Sequence, residues 1–301
     1  MLNKYFLLNR IIKTLISNKF QVFLNKGCFD IAAKKEYKML IKASFNVDGL
    51  SEEHALSLRA ISYFISAYPL IVSVKTNRGF LDDKIIYSRF QIPVITPRMF
   101  DLLVRNEEIP LIEATKGKHL VSIDCKILKN KRKEMGLSLK ELSRLVGISK
   151  KSLYEIENKR VTPSFETVEK LEKVLKVNLK QSFKLERPKP AYLKPKNNFQ
   201  KRISKEFRRI GIENSCVYSA PFELVGKERY SLITRLSRDT DEIKRKYQTI
   251  KKISSFFSSR AIFITKNARE TSINGIPVLL ESELKEIEST REFNKLLSEK
   301  I

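Results

Sequence analysis

Glycine, cysteine, long apolar runs and acidic residues are all scarce in this sequence, and each shortage closes off a class of function. The nine glycines in 301 residues form no Gly-rich phosphate loop and no cofactor fingerprint, so no cofactor or small-molecule effector is indicated. Cys28, Cys125 and Cys216 lie far apart. That spacing fits reduced thiols in a cytoplasmic protein and argues against a disulfide framework or a structural metal cluster. Lys4, Arg10, Lys13 and Lys19 interrupt the apolar residues of the first segment, so no signal-peptide core or membrane span forms. Leu8, Ile11, Ile12, Leu15 and Ile16 recur there at helical spacing instead. The acidic deficit is the largest imbalance: 34 Asp and Glu stand against 59 Lys and Arg, for a formal charge of +25. Such an excess favours a polyanionic partner, nucleic acid first, with binding that weakens as salt rises. A Lys- and Ile-rich composition also arises from biased codon usage or a thermophilic proteome, so charge alone does not name the partner.

Along the chain, the first helix is followed by strand-like runs at 20–24, 28–33 and 38–45. Ser51 with Glu52 and Glu53 opens a second helix, continued by Ala55, Leu58, Ile61 and Ile65 and ended by Pro69. A run at 70–74, a turn at Asn77-Arg78-Gly79, a short strand at 93–95 and a helix opened by Pro97 complete the series. This alternation predicts a mixed sheet with helices on both faces.

The end of the chain repeats its beginning. Phe29-Asp30-Ile31-Ala32-Ala33-Lys34 aligns with Phe222-Glu223-Leu224-Val225-Gly226-Lys227, Tyr37 with Tyr230, and Lys42 with Arg235. In both copies the acid precedes the base by twelve residues. Ile92-Pro93-Val94 then matches Ile276-Pro277-Val278, with nine residues fewer in the second copy, assigned to the hairpin at 77–86. Chance likeness between two β-rich segments is the competing reading. Between the copies, residues 187–196 hold three prolines and four basic residues, which cannot make a regular helix and predict an extended, positively charged tether.

Residues 139–158 meet the requirements of a helix-turn-helix. Two short helices crossing steeply need a small residue at the crossing, here Ser143, and a turn residue tolerant of positive φ, here Gly147. Leu142, Val146, Ile148, Leu153 and Ile156 supply the inward face, and Ser149 caps the second helix. A preceding helix at 127–135 ends at Gly136, Ser138 with Glu141 makes a capping box, and Pro163-Ser164 opens a closing helix. Residues 126–183 resemble the Cro/repressor type of helix-turn-helix domain, a five-helix unit whose second motif helix enters the major groove. The resemblance implies base contacts from Ser149, Lys150, Lys151, Ser152 and Glu155, and phosphate contacts from Lys131, Arg132, Lys140, Tyr154, Lys159 and Arg160. Leu139 stands where many relatives carry a phosphate-binding Gln, so that contact is either absent here or supplied by Lys140. A helical bundle used only for protein contacts is the alternative.

The flanking copies resemble restriction-endonuclease-like or resolvase-like domains. Active members pair an Asp with a second acid two residues before a Lys, because two carboxylates hold the metal that activates water. Here Asp30 and Lys42 remain, but Leu40 occupies the second acid position, and the other copy offers Glu223, Ile233 and Arg235. Asp30 with Lys42, and Glu223 with Arg235, read more economically as ion pairs between neighbouring strands. No catalytic residue and no metal ligand is therefore assigned.

Taken whole, the chain resembles a family of archaeal helix-turn-helix transcriptional regulators, the likeness resting on 28–43, 49–60 and the helix-turn-helix. The expected fold is α/β plus all-α: two mixed-sheet nuclease-like domains, at 1–115 and 198–301, flank a five-helix unit at 124–183 and a basic Pro-rich linker at 184–197. The expected function is a cytoplasmic, non-enzymatic regulator that binds double-stranded DNA as a homodimer, with no membrane partner. A metal-dependent DNA nuclease and a non-specific nucleoid protein are the alternatives.

Overall fold

The computed structural model describes residues 4–115 and 118–300. The first unit opens with α1 (Lys4–Ser17), which buries Leu7, Ile11 and Leu15 on one face. It continues through β1 (Gln21–Leu24), β2 (Ile31–Lys34), β3 (Lys38–Asn46), α2 (Glu52–Phe64), β4 (Tyr68–Thr76), β5 (Gly79–Phe80), β6 (Tyr87–Arg89), β7 (Ile92–Ile95) and α3 (Pro97–Val104). The sheet order is β1-β2-β3-β4-β7-β6, with β5 beside β4. Its centre, β3-β4-β7, is parallel and its margins antiparallel. α1 and α3 cover one face and α2 the other, the layering that alternating helices and strands require.

Pro69 does not end α2; the helix stops at Ile65, and Ser66 turns the chain with φ 55°. Pro69 is buried near the start of β4, opposite Leu40. Its missing N–H is tolerated because β7 pairs with β4 only from Ile71 onward.

A two-stranded hairpin, β8 (Ile112–Thr115) and β9 (Lys118–Val121), docks on the edge of this sheet, where Ile86 N donates to the Ile112 carbonyl at 2.7 Å. It carries α4 (Cys125–Glu134), α5 (Leu139–Val146), α6 (Lys150–Glu157) and α7 (Phe165–Leu175). Four helices stand here, not five. After α7 the chain turns at Lys176, φ 51°, and the following residues bond to strands: Gln181 N reaches the Ser122 carbonyl at 2.8 Å and Phe183 N the Ile109 carbonyl at 2.7 Å. Those bonds satisfy the backbone that a fifth helix would have satisfied internally. Residues 184–197 are extended, as the prolines require, but not free: Ala191 and Leu193 are buried, and Leu193 N donates to Ser215 Oγ at 3.1 Å.

The second α/β unit comprises α8 (Asn198–Arg209), β10 (Glu213–Cys216), β11 (Leu224–Lys227), β12 (Ser231–Ser237), α9 (Thr240–Phe257), β13 (Arg260–Thr265), β14 (Ser272–Ile273), β15 (Ile276–Leu280), α10 (Glu281–Glu286) and α11 (Thr290–Glu299). Its sheet runs β10-β11-β12-β13-β15-β14, the first unit's order strand for strand. Registers correspond as well: Ile71 pairs with Val94 and Phe263 with Val278, at the positions where Ile92-Pro93-Val94 aligns with Ile276-Pro277-Val278.

The two α/β units share one core. α2 lies against β10 and β11, while α9 brings Phe256 to Phe23, with ring centroids 5.8 Å apart, and Phe257 to Phe29, at 6.4 Å. The seam is reciprocal to the level of single bonds. Lys38 Nζ donates to the Phe257 carbonyl at 3.0 Å, and Ser231 Oγ donates to the Phe64 carbonyl at 2.6 Å. The numerical offset that carries Asp30 to Glu223 also carries Lys38 to Ser231 and Phe64 to Phe257.

Candidate nucleic-acid interface

Local sequence sets the geometry of the helix pair. Ser138 Oγ accepts from Glu141 N at 3.2 Å while Glu141 Oε2 accepts from Ser138 N at 2.8 Å, which closes the capping box that opens α5. Gly147 ends that helix at φ 76° and ψ 35°, a conformation that costs a residue with a Cβ more than it costs glycine. Ser149 Oγ then accepts from Ser152 N at 2.9 Å and starts α6. Leu142, Ser143, Val146, Leu153 and Ile156 are buried and Ile148 half-buried, all but Ser143 lying in or against one cluster with Leu128, Val168 and Leu171. The core fixes the angle of α6, whose outer face is free.

On that face Ser149, Lys150, Lys151, Ser152 and Tyr154 are exposed and Glu155 half-buried. The ammonium groups of Lys140, Lys150, Lys151 and Lys159 make no ion pair or hydrogen bond among the described residues. Arg160 sits over the Tyr154 ring at 5.7 Å and 3.4 Å from Glu155, and Lys131 pairs with Glu134 at 3.0 Å. These are exposed pairs, which a phosphate can compete for. Uncompensated lysines at a helix N-terminus, where backbone N–H groups also point outward, are suited to an anion or to guanine O6 and N7.

Arg132 leaves the phosphate-contact set. Its side chain is 10% exposed, and its fork is occupied by Glu157 at 2.6 and 3.0 Å and by the Leu137 carbonyl at 2.8 Å. The hydrogen bonds to Glu157 hold the guanidinium above its already high value. The pair joins α4 to α6 from inside.

The two α/β units each hold an acid beside a base. Asp30 accepts from Ala43 N at 2.9 Å and lies 3.3 Å from Lys42 Nζ, and Lys4 Nζ joins it at 2.8 Å. Burial pushes Lys42 below its usual range against the pull of Asp30. Glu223 accepts from Leu236 N at 2.8 Å and from Arg235 Nη1 at 2.5 Å, while Arg235 Nη2 reaches Glu242 at 3.1 Å. Burial raises Glu223 to about 7, opposed by Arg235. Lys4 and Glu242, third members of these clusters, have no signal in the strand motif, because each arrives from a helix.

A metal would need a second carboxylate on the β3 or β12 face. Leu40 and Ile233 are there instead, both with no exposed surface, so these residues do not fit a metal. Among the described residues no group of three or more His, Cys, Asp or Glu is gathered where it could hold one. All three cysteines are free and buried, and burial raises the Cys28 thiol to about 12. No helix among the described residues is long and apolar enough to cross a membrane.

Comparison with known proteins finds two matching families. Residues 4–110 match the PD-(D/E)XK superfamily domain and residues 128–181 the helix-turn-helix. No solved structure matches. Three archaeal relatives each bear the name "Putative HTH-type transcriptional regulatory protein". That of Methanothermobacter thermautotrophicus is 31% identical, covering 97% of this chain and 96% of its own. That of Pyrococcus horikoshii is 30% identical over 95% and 94%, and that of Methanocaldococcus jannaschii 28% over 97% and 96%. Likeness at that level over nearly the whole of both chains places this protein in the family of archaeal HTH-type transcriptional regulatory proteins.

Proposed function

We propose that this protein is a sequence-specific DNA-binding transcription regulator, active in the cytoplasm, that reads the major groove with α6. The observation that carries the reading is the free first turn of α6, where Lys150 and Lys151 stand exposed and unpaired on a helix whose back is locked by a buried core and by Arg132 with Glu157. Ser149, Lys150, Lys151, Ser152 and Glu155 contact bases; Lys131, Lys140, Tyr154, Lys159 and Arg160 contact phosphates. The α/β units, at 1–115 and 198–301, are copies of one another joined through the unit at 124–183 and the linker at 184–197. They cut nothing, since apolar side chains occupy the second acid positions. Two chains bind a pseudo-palindromic site. They meet outside the seam, which lies within each chain.

The test is genome-wide DNA selection at fixed salt, comparing the purified protein with Lys150→Ala/Lys151→Ala. A discrete motif for the wild type, lost in the variant, is the expected result. Motif-free binding by both would replace this reading with a nucleoid protein that uses charge alone.

A further inference from the structure

Where the helix-turn-helix unit meets the first sheet, the chain forms a solvent-open cleft of about 680 Å³, within the range of small-molecule sites. Its walls come from three parts of the chain: β6 and β7, the β8–β9 hairpin that carries the helices, and the start of the basic tether. Ile86, Pro93 and Phe183 give it apolar surface; Lys184, Arg187 and Lys189 line the tether side. Those three cations are exposed and unpaired among the described residues. They outnumber the cleft's carboxylates, Glu113 and Glu186. In the second unit nothing pairs with the outer edge of β14 among the described residues, so the walls supplied by the hairpin and the tether belong to the side where the helix-turn-helix is inserted.

We infer that this cleft is a ligand site for a small organic anion with an apolar body, and that occupancy clamps the helix-turn-helix unit onto the first sheet. The apolar part packs on Ile86, Pro93 and Phe183 while the anionic end meets the tether cations. The backbone bonds around the ligand join the β6 side to the hairpin, Ile86 N to Ile112 O at 2.7 Å, and the hairpin to the residues just before the tether, Leu111 N to Gln181 O and Gln181 N to Ser122 O at 2.7 and 2.8 Å. A ligand touching all three walls opposes their separation, and its binding energy adds to the stability of the joint. Ligand binding there requires no DNA.

The probe is 8-anilinonaphthalene-1-sulfonate, an aromatic anion whose emission rises in apolar surroundings, titrated into the full chain. One equivalent per chain is expected, with slower hydrogen exchange at the Ile86, Leu111 and Gln181 amides. Arg187→Ala/Lys189→Ala should weaken binding about ten-fold, as loss of about 1.4 kcal/mol implies. Ser88→Trp, which fills the cleft from β6, should abolish it. The three substituted positions, Ser88, Arg187 and Lys189, are exposed, so circular dichroism and melting of the free variants should match the wild type. Equal dye binding by wild type and both variants, no stoichiometric site, or unchanged exchange at those amides would overturn the inference.

Discussion

Arg132 and Glu223 show how far a residue's type is from its role. Eleven basic residues in 126–160 made Arg132 a natural phosphate contact, but its partner Glu157 lies 25 residues away and only the crossing of α4 and α6 brings them together. Removing one member of a buried pair leaves the other charge without compensation. Glu157→Ala is therefore expected to cost about 3–5 kcal/mol in urea unfolding, against about 0.5 kcal/mol for Glu134→Ala, whose pair with Lys131 is exposed. Glu223 makes a prediction with a pH axis. Its folded pKa, about 7, exceeds the unfolded one of about 4.3, so the folded state favours the proton. The associated stability is complete below the unfolded value and fades as pH rises through 7. Glu223→Gln, neutral throughout, should gain on the wild type between about pH 4 and pH 7; a constant difference across that range would mean that Arg235 keeps the carboxylate charged.

At the scale of elements, the helix-turn-helix was legible in full because its requirements are local: a cap, a turn and a spacing of apolar residues. Gly147 can be tested without side-chain interference, since a Cβ there would meet nothing within 4 Å. Gly147→Ala should thus cost about 1 kcal/mol, the price of the left-handed backbone alone, measured as a lower urea midpoint with unchanged slope. What local pattern did not give was the count of helices. The segment after Leu175 is polar enough and long enough for another helix, and only its pairing with residues 109–122, distant in sequence, holds it extended. The same limit applied at Pro69, where the sequence shows a helix breaker but not that β7 starts two residues later on the neighbouring strand.

For the whole molecule, the matched intervals of Asp30–Lys42 and Glu223–Arg235 disclosed two similar sheets, yet nothing in them disclosed the seam. Face-to-face packing depends on which apolar surfaces remain after each sheet has received its own helices, and that is a property of the assembled layers. Gly27 marks the closest approach: a Cβ there would lie 1.8 Å from the Ser219 carbonyl oxygen, the acceptor for Cys28 N at 2.7 Å. Gly27→Ala must push the units apart. It is expected to cost about 1–3 kcal/mol and to split into two steps the melting that a shared core makes cooperative in the wild type; a single transition at the wild-type temperature would show that the loops yield without disturbing the seam.

Two equivalent halves within one chain have a genetic consequence. In an assembly of identical subunits every substitution is made twice, and both halves change in step. Here each half mutates by itself, and the outcome is visible in the paired clusters: one keeps Asp30 and Lys42 with Lys4 added, the other has Glu223 and Arg235 with Glu242 added. The single helix-turn-helix is inserted after one half alone. Symmetry survives in the framework while the surfaces are free to diverge.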